Sequence, residues 1–192
     1  IYSRAIGLLF ALSLLCVGCE NEDILDINDL EISPSNPESV IIVEPDDGIT
    51  SVNALTRAIN ENGDATYILR RDGVYYMEGK NVFKHNVVIK AENGSGKMPI
   101  IQPICDAQGA LNADMIRLEG SATFENIYII GKDAATGNLM QRLFRIDESN
   151  VRLKFDHCFI DHCRNFCIRT DNVNNKIYLN NSCLLYTSPS PR

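Results

Sequence analysis

The feature that most constrains the fold of this chain is a pair of short segments that recurs at an offset of 24 residues. The first copy joins residues 144–147 to 151–158, and the second joins residues 168–171 to 175–182. In both copies apolar and polar residues alternate with a period of two, which predicts strands with one buried and one solvated face. A looser third copy lies at 116–119 and 122–127, where the offset is longer and differs between the two segments.

Repetition at this period indicates a solenoid, in which each coil of short strands buries its apolar face against the next coil. The sequence therefore predicts an all-β fold in which Leu153, Phe155, Ile177 and Leu179 stack inside parallel strands. A β-sandwich is the alternative. It is disfavoured because no Asn-Gly or Asp-Gly hairpin turn separates the later strands, whereas stacked coils need only short bends.

Residues 1–18 have the composition of an export signal. A single basic residue, Arg4, precedes thirteen almost entirely apolar positions, 5–17, which are too few to cross roughly 30 Å of hydrocarbon as a helix. The sequence Leu-Cys-Val-Gly-Cys at 15–19 resembles the processing site of bacterial lipoproteins, and this resemblance implies a lipid on Cys19. An ordinary secretory signal with a chance cysteine is the alternative.

Residues 19–39 are expected to form an acidic, flexible tether because they are rich in charge, include Pro34 and Pro37, and lack hydrophobic periodicity. The acidic run at 20–23 resembles the export tag of Gram-negative lipoproteins that reach the outer face of the outer membrane. The resemblance implies a lipid-anchored protein at the cell surface.

Residues 183–192 break the repeat abruptly and end in Ser-Pro-Ser-Pro-Arg. This segment resembles the translation of an adapter used in sequencing libraries. The natural chain is then expected to continue beyond Ser182, with residues 183–192 packing against nothing. A genuine Pro/Ser tail is the alternative.

The predicted β-helix domain, residues 40–182, opens with a strand and a helix. The β-branched run Val40–Val43 predicts the strand. Residues 51–62 predict the helix, with Ser51 as its N-cap, an apolar stripe of Val52, Leu55 and Ala58/Ile59, and a stop at Asn62-Gly63. An amphipathic helix of this kind would cover the open end of the first coil.

The next segments carry a family resemblance. Gly63-Asp64, a strand at 66–69, a Gly-x-Tyr strand at 73–75 and two further strands at 86–94 and 99–102 resemble the opening of pectate-lyase-like right-handed parallel β-helices, including the chondroitinase-B-like polysaccharide lyases. The resemblance implies a protein that acts on or binds polysaccharide.

Such lyases need a base that removes the proton alpha to a uronic carboxylate, and cations or Ca²⁺ that stabilise the enolate. The resemblance places these groups on later coils, so no catalytic residue is assigned to this chain, and enzymatic activity stays open. The alternative is a non-catalytic glycan-binding or adhesion lipoprotein on the same scaffold.

An Arg-x-acid motif occurs once in each of the three repeats. Stacked parallel strands would arrange these residues as an outward ladder of arginines about 4.8 Å apart, beside a ladder of carboxylates. The ladders could bind the carboxylates or sulfates of an acidic polysaccharide, or a Ca²⁺ ion. The plainer interpretation is that neighbouring charges pair on a solvated face. The six residues are Arg117, Glu119, Arg145, Asp147, Arg169 and Asp171.

A cluster of metal-ligand residue types follows at 156–158, 161–163 and 167. Its members are Asp156, His157, Cys158, Asp161, His162, Cys163 and Cys167. Their spacing follows no familiar zinc pattern, and Cys158 continues the inward series of Leu153 and Phe155, so a core position is predicted and no metal site. A disulfide among Cys105, Cys158, Cys163 and Cys167 is compatible with export, but the sequence leaves the pairing open.

Charge excludes one class of partner. The whole chain has 25 acidic and 18 basic residues, and residues 19–182 carry a net charge of −9 because Arg4 and Arg192 lie outside them. An acidic chain without clustered basic residues does not bind nucleic acid through phosphate neutralisation. Polysaccharide remains the expected partner, and the protein is expected to be a monomer.

Overall fold

The structure of the protein is a computed structural model, and it describes residues 39–185. The predictions for the signal, for lipidation at Cys19 and for the tether up to residue 38 lie outside this range. The described part contains one helix and fifteen short strands. In chain order they are β1 (Val40–Val43), α1 (Ala54–Asn62), β2 (Thr66–Leu69), β3 (Val74–Glu78), β4 (Val82–Phe83), β5 (Val87–Ala91), β6 (Ile100–Ile104), β7 (Asp114–Leu118), β8 (Ala122–Glu125), β9 (Tyr128–Ile130), β10 (Arg142–Ile146), β11 (Arg152–Asp156), β12 (Phe159–Asp161), β13 (Phe166–Thr170), β14 (Lys176–Asn180) and β15 (Cys183–Leu185).

The strands form three parallel sheets that the chain visits in turn. The six-stranded sheet has the order β1-β2-β5-β8-β11-β14, the five-stranded sheet β3-β6-β9-β12-β15, and the four-stranded sheet β4-β7-β10-β13. Each new coil adds one strand to each sheet beside the strand of the coil before. The fold is a right-handed parallel β-helix of about six turns with one short helix, as the sequence predicts.

The register of the sheets reproduces the offsets of the sequence repeat. Arg145 pairs with Arg169 and Leu153 with Ile177, both at the offset of the two closer copies, while Arg117 pairs with Arg145 at the longer offset of the third copy. The predicted parallel pairing is therefore confirmed. The predicted burial is wrong for Ile177 and Leu179, which are 42% and 50% exposed. Strand β14 is the outermost strand of its sheet, so no further coil covers these side chains within the described residues.

Aromatic side chains fill the interior of the middle coils. Phe124 and Phe155 stack with ring centroids 5.5 Å apart, and Phe144 from the four-stranded sheet meets both rings edge-on. All three side chains are fully buried. Because Phe124 and Phe155 occupy paired positions of β8 and β11, the stacking follows directly from the register.

The helix begins at Ala54 rather than at Ser51, and Ser51 does not cap it. Instead the carboxylate of Asp46 accepts a hydrogen bond from the Ala54 N–H at 3.1 Å, and the Ser51 hydroxyl donates to that same carboxylate. The predicted end is confirmed, because Gly63 follows Asn62 in the left-handed region, with φ 72°.

The predicted role of the helix as a cover for the first coil is also confirmed. Leu55 and Ile59 are fully buried and belong to the core, and the helix packs against β1, β3 and β4. The predicted apolar stripe is narrower than expected, since Val52 lies before the helix and Ala58 is only half-buried.

The bends between the six-stranded and five-stranded sheets share one backbone conformation. Asn126, His157 and Asn181 each follow a strand of the six-stranded sheet and have φ between 45° and 57°. Asparagine tolerates this left-handed region better than most residues, and His157 stands at the same position of the middle coil. His157 therefore has a structural role in this bend.

The end of the domain differs from the prediction. Cys183–Leu185 forms β15 and pairs in parallel with Phe159–Asp161, so the coil pattern extends three residues beyond Ser182. The expectation that this segment packs against nothing is wrong for these three residues, while residues 186–192 lie outside the described range. The adapter interpretation stays a prediction. Among residues 39–185 no helix has the length and hydrophobicity of a membrane span.

Candidate functional site

The three predicted arginines form a ladder on the four-stranded sheet. Arg117, Arg145 and Arg169 occupy paired positions on β7, β10 and β13, so they stack at the strand spacing of about 4.8 Å. Their side chains are 27%, 31% and 41% exposed. The predicted stacking of the arginines is confirmed by this register.

The predicted carboxylates interleave with the arginines. Asp147 accepts hydrogen bonds from Nε of both Arg117 and Arg145, at 2.5 and 2.7 Å. Asp171 lies 3.1 Å from Nη2 of Arg169 and 3.8 Å from Nη2 of Arg145. The result is a network of ion pairs that crosses three coils. Neighbouring charges pair with each other, as the plainer interpretation of the Arg-x-acid motif predicts.

Glu119, the third predicted carboxylate, is exposed, and its backbone N–H donates to the carbonyl oxygen of Phe83. Its charge contributes electrostatically to the raised pKa of Arg117, although the largest contribution comes from the hydrogen bond to Asp147. The structure thus brings five of the six predicted residues into one ion-pair network, and it leaves Glu119 beside that network.

The network changes the protonation of its central carboxyl group. Burial by itself would raise the pKa of Asp147, but the hydrogen bonds from Arg117 and Arg145 outweigh burial and lower that pKa below its usual range. Asp147 therefore remains charged under mildly acidic conditions and keeps the two guanidinium groups in place. Each guanidinium has five N–H donors, and these contacts occupy only part of that set.

A second arginine–aspartate pair lies on the same strands and was missed in the sequence. Arg142 on β10 forms an ion pair with Asp114 on β7, and the two side chains are 13% and 6% exposed. These two residues are separated along the chain by the same offset as Arg117 and Arg145, so the repeat register could have found the pair. It went unnoticed because neither residue belongs to an Arg-x-acid motif.

A polar cleft opens at the edge where the five-stranded sheet bends into the four-stranded sheet. Its volume is about 610 Å³. It is lined by residues 109–113 before β7, by part of the segment 137–141 before β10, and by Arg164 before β13. The ladder arginines lie four or five residues further along these strands, roughly 13–17 Å away at about 3.3 Å per residue.

The walls of the cleft are held by hydrogen bonds between loops. Asp133, which is 2% exposed, accepts a hydrogen bond from the Thr136 N–H at 3.0 Å, and the Cys105 thiol donates to it at 3.4 Å. Burial acts to raise the pKa of Asp133, but the Thr136 hydrogen bonds prevail and lower it. Asp133 therefore ties the loop of residues 105–113 to the loop of residues 131–141.

The cysteines and histidines of the predicted cluster lie in different environments. Cys158 is buried in the core, where its thiol donates to the Phe124 carbonyl oxygen at 3.3 Å, and burial raises its pKa to about 11. The predicted core position of Cys158 is confirmed. His157 and His162 both stand at left-handed bends. Across residues 39–185 no three His, Cys, Asp or Glu side chains converge in a way that could hold a metal ion.

The chain resembles a solved structure in its fold. No protein-family model and no curated protein matches the chain. Among solved structures, the fold is similar to that of the PL6 family alginate lyase AlyGC, determined as an arginine-to-alanine mutant, with a TM-score of 0.58 and 20% sequence identity. The similarity covers 81% of this chain and 21% of the lyase, so this chain spans about a fifth of that structure. At this identity the likeness establishes the β-helix fold alone.

Proposed function

We propose that this β-helix binds an acidic polysaccharide along the four-stranded sheet, from the cleft at Arg164 towards the arginine ladder. The observation that carries the proposal is the alignment of an open polar cleft with three stacked guanidinium groups on one sheet. An extended polymer fits such a surface because successive coils repeat the same chemistry at a fixed spacing. The fold that the chain shares with an alginate lyase supports a polymer of this class.

Local pairing rather than long-range attraction must drive this binding. The chain has a net charge of −7, so its overall field repels an approaching polyanion, and at 0.1 M salt this field is screened beyond a Debye length of about 10 Å. Close to the sheet, Arg164 is exposed, and the ladder arginines keep N–H donors besides those that contact Asp147 and Asp171. The affinity is therefore expected to fall steeply as salt increases.

Calorimetry with alginate, a polymer of uronates, and with dextran, a neutral glucan, tests the proposal. We expect alginate to bind and dextran not to bind. Arg164→Gln should weaken alginate binding by about tenfold, because a charged hydrogen bond contributes about 1.5 kcal/mol. Arg70→Gln is the matched control, since Arg70 is 36% exposed and pairs with Glu44 and Glu92 away from the cleft. Equal binding of both polymers, or unchanged affinity in Arg164→Gln, would contradict the proposal.

A non-catalytic role is the second candidate, and one observation favours it. The ladder arginines are already paired with Asp147 and Asp171, an arrangement that suits positioning a polymer more than abstracting a proton. Incubation with alginate, followed by the ultraviolet absorbance of unsaturated products, separates the two roles. Binding without new absorbance supports a binding protein, and new absorbance supports a lyase.

We also propose that Cys19 anchors the protein to the outer membrane, facing the cell exterior, because the segment at 15–19 has the pattern of a lipoprotein processing site. Incorporation of a fatty-acid label into the expressed chain, followed by membrane fractionation, tests this anchoring. Cys19→Ser should lose the label and leave the membrane fraction. Retention of the label in Cys19→Ser would contradict the proposal.

A further inference from the structure

Two thiols lie against each other beneath the loop that leads into β13. The Sγ atoms of Cys163 and Cys167 are 2.9 Å apart. Non-bonded heavy atoms normally approach to about 3.5–4.0 Å, whereas a disulfide bond is about 2.05 Å long. The two sulfur atoms are thus closer than ordinary packing contacts, and less than about 1 Å of movement separates them from bonding distance.

The fold brings these two residues together through the bend at His162. This residue has φ 58° and turns the chain between β12 and β13. Cys167 lies on β13 beside Leu143 of β10, on the face opposite the core residue Phe144. Cys163 covers this outer face, and the exposed fractions of the two cysteines are 0% and 7%. The neighbouring coil has Leu143 at the position of Cys167, so the thiol pair belongs to this coil.

The other described cysteines make different contacts. The Cys158 thiol donates to a backbone carbonyl oxygen in the core, and the Cys105 thiol donates to Asp133. Cys183 lies on β15, where it pairs with Phe159. The geometry therefore selects Cys163 with Cys167 from the disulfide pairings that the sequence leaves open.

We propose that Cys163 and Cys167 form a disulfide bond that closes the five-residue loop at the cleft. The bond forms by exchange with a small-molecule or protein disulfide. The Cys163 thiolate attacks one sulfur of that reagent and releases one thiol. The Cys167 thiolate then attacks the Cys163 sulfur and releases the second thiol, so the protein loses two hydrogens and the reagent is reduced to two thiols.

The order of attack follows from the hydrogen bond between the thiols. The hydrogen bond from the Cys167 thiol stabilises the Cys163 thiolate and lowers the pKa of Cys163. The same hydrogen bond raises the pKa of Cys167. Cys163 is therefore the first nucleophile. Because both thiols are buried, exchange takes place during folding or when the loop opens.

The disulfide would fix the position of Arg164, which lines the cleft. Arg164 and Asn165 lie inside the closed loop, and their N–H groups donate to the carbonyl oxygens of Met140 and Gln141 at 2.8 and 3.1 Å. The disulfide would hold the loop of residues 163–167 against residues 140–141, which end the longer loop of residues 131–141. The position of the Arg164 side chain then depends on the redox state of the pair.

Peptide mapping tests the pairing. The full chain is unfolded under reducing conditions, refolded with reduced and oxidised glutathione, alkylated, and digested with trypsin. Trypsin cleaves after Lys154, Arg164 and Arg169, so a Cys163–Cys167 bond joins peptide 155–164 to peptide 165–169. We expect this cross-linked pair with one alkyl group, on Cys158, and a mass otherwise lower by two hydrogens than the sum of the reduced peptides.

Variants assign the bond to one cysteine of peptide 155–164. Cys158→Ala should retain the cross-link, while Cys163→Ser and Cys167→Ser should each abolish it. If Cys158→Ala fails to fold, fragmentation of the wild-type cross-link gives the same answer, because Cys158 should carry the alkyl group. Alkylation of both Cys163 and Cys167 in the refolded protein, or a cross-link that persists in Cys163→Ser, would overturn the proposal.

Discussion

Replacing Asp147 with asparagine is the sharpest test of the arginine ladder. Asp147 is 17% exposed, and among residues 39–185 it alone contacts both Arg117 and Arg145 through their Nε atoms. The substitution keeps the size of the side chain but removes its charge. Two guanidinium groups then face each other at the strand spacing of about 4.8 Å without a counter-ion between them.

The magnitude follows from charge and burial. Two unit charges at about 4.8 Å repel by about 3.5 kcal/mol at an effective dielectric constant of about 20, which is an upper bound because the arginines are about 30% exposed and can turn towards water. Each charged hydrogen bond contributes about 1.5 kcal/mol, and asparagine can still accept one of the two. We expect Asp147→Asn to lower the free energy of unfolding by about 2 kcal/mol.

Urea unfolding followed by circular dichroism measures this loss. Asp171→Asn is the matched control, since Asp171 is 55% exposed and its loss should cost no more than about 0.5 kcal/mol. If Asp147→Asn cost no more than Asp171→Asn, the ladder would be an ordinary surface charge pattern and the reasoning would be wrong.

The pH dependence gives a second measurement. The pKa of Asp147 is lowered in the folded state, so the stability it contributes is fully present above the unfolded pKa of about 3.9 and is lost as pH falls through the lowered folded value. The difference between wild type and Asp147→Asn should therefore be constant above about pH 5 and shrink below about pH 4. A difference that grew on acidification would contradict this assignment.

Three further substitutions test the scaffold, each by urea unfolding. Phe155→Ala should cost about 4 kcal/mol because it empties a fully buried position in the aromatic stack, and a loss below about 1 kcal/mol would contradict the packing. Asp46→Ala should cost about 2 kcal/mol, since its carboxylate accepts hydrogen bonds from the N–H groups of Ala54 and Tyr76; no loss would return the cap to Ser51. His157→Asn should leave stability unchanged within about 1 kcal/mol, because asparagine fits the left-handed bend, and a large loss would give the imidazole a role beyond it.

The sequence predicted the sheets because alternation and repetition act together. A period of two fixes which side chains face inward, and the repeat offset of the two closer copies fixes which strand positions meet, so the pairing of Leu153 with Ile177 required no knowledge of distant contacts. The same pattern could not predict that side chains in the last coil are exposed. Ile177 has the alternation of a buried residue, and only the number of coils decides whether it is covered.

The helix start and the cleft escaped prediction for another reason. Local capping rules consider the residues next to a helix, whereas the cap of α1 comes from Asp46, eight residues before Ala54. The cleft is built from loops that have no periodicity, and Arg164 reaches it only because of the bend at His162. The proximity of Cys163 and Cys167 depends on the same bend.

The bends between the five-stranded and four-stranded sheets differ in length while the strands they join stay in register. Successive coils use residues 79–81, 105–113, 131–141 and 162–165 for this connection, from three residues to eleven. An insertion here changes the rim of the cleft and leaves every inward-facing side chain in place. This edge is thus where mutation can vary the recognition surface at little cost to folding, so related chains are expected to diverge most in length at this edge.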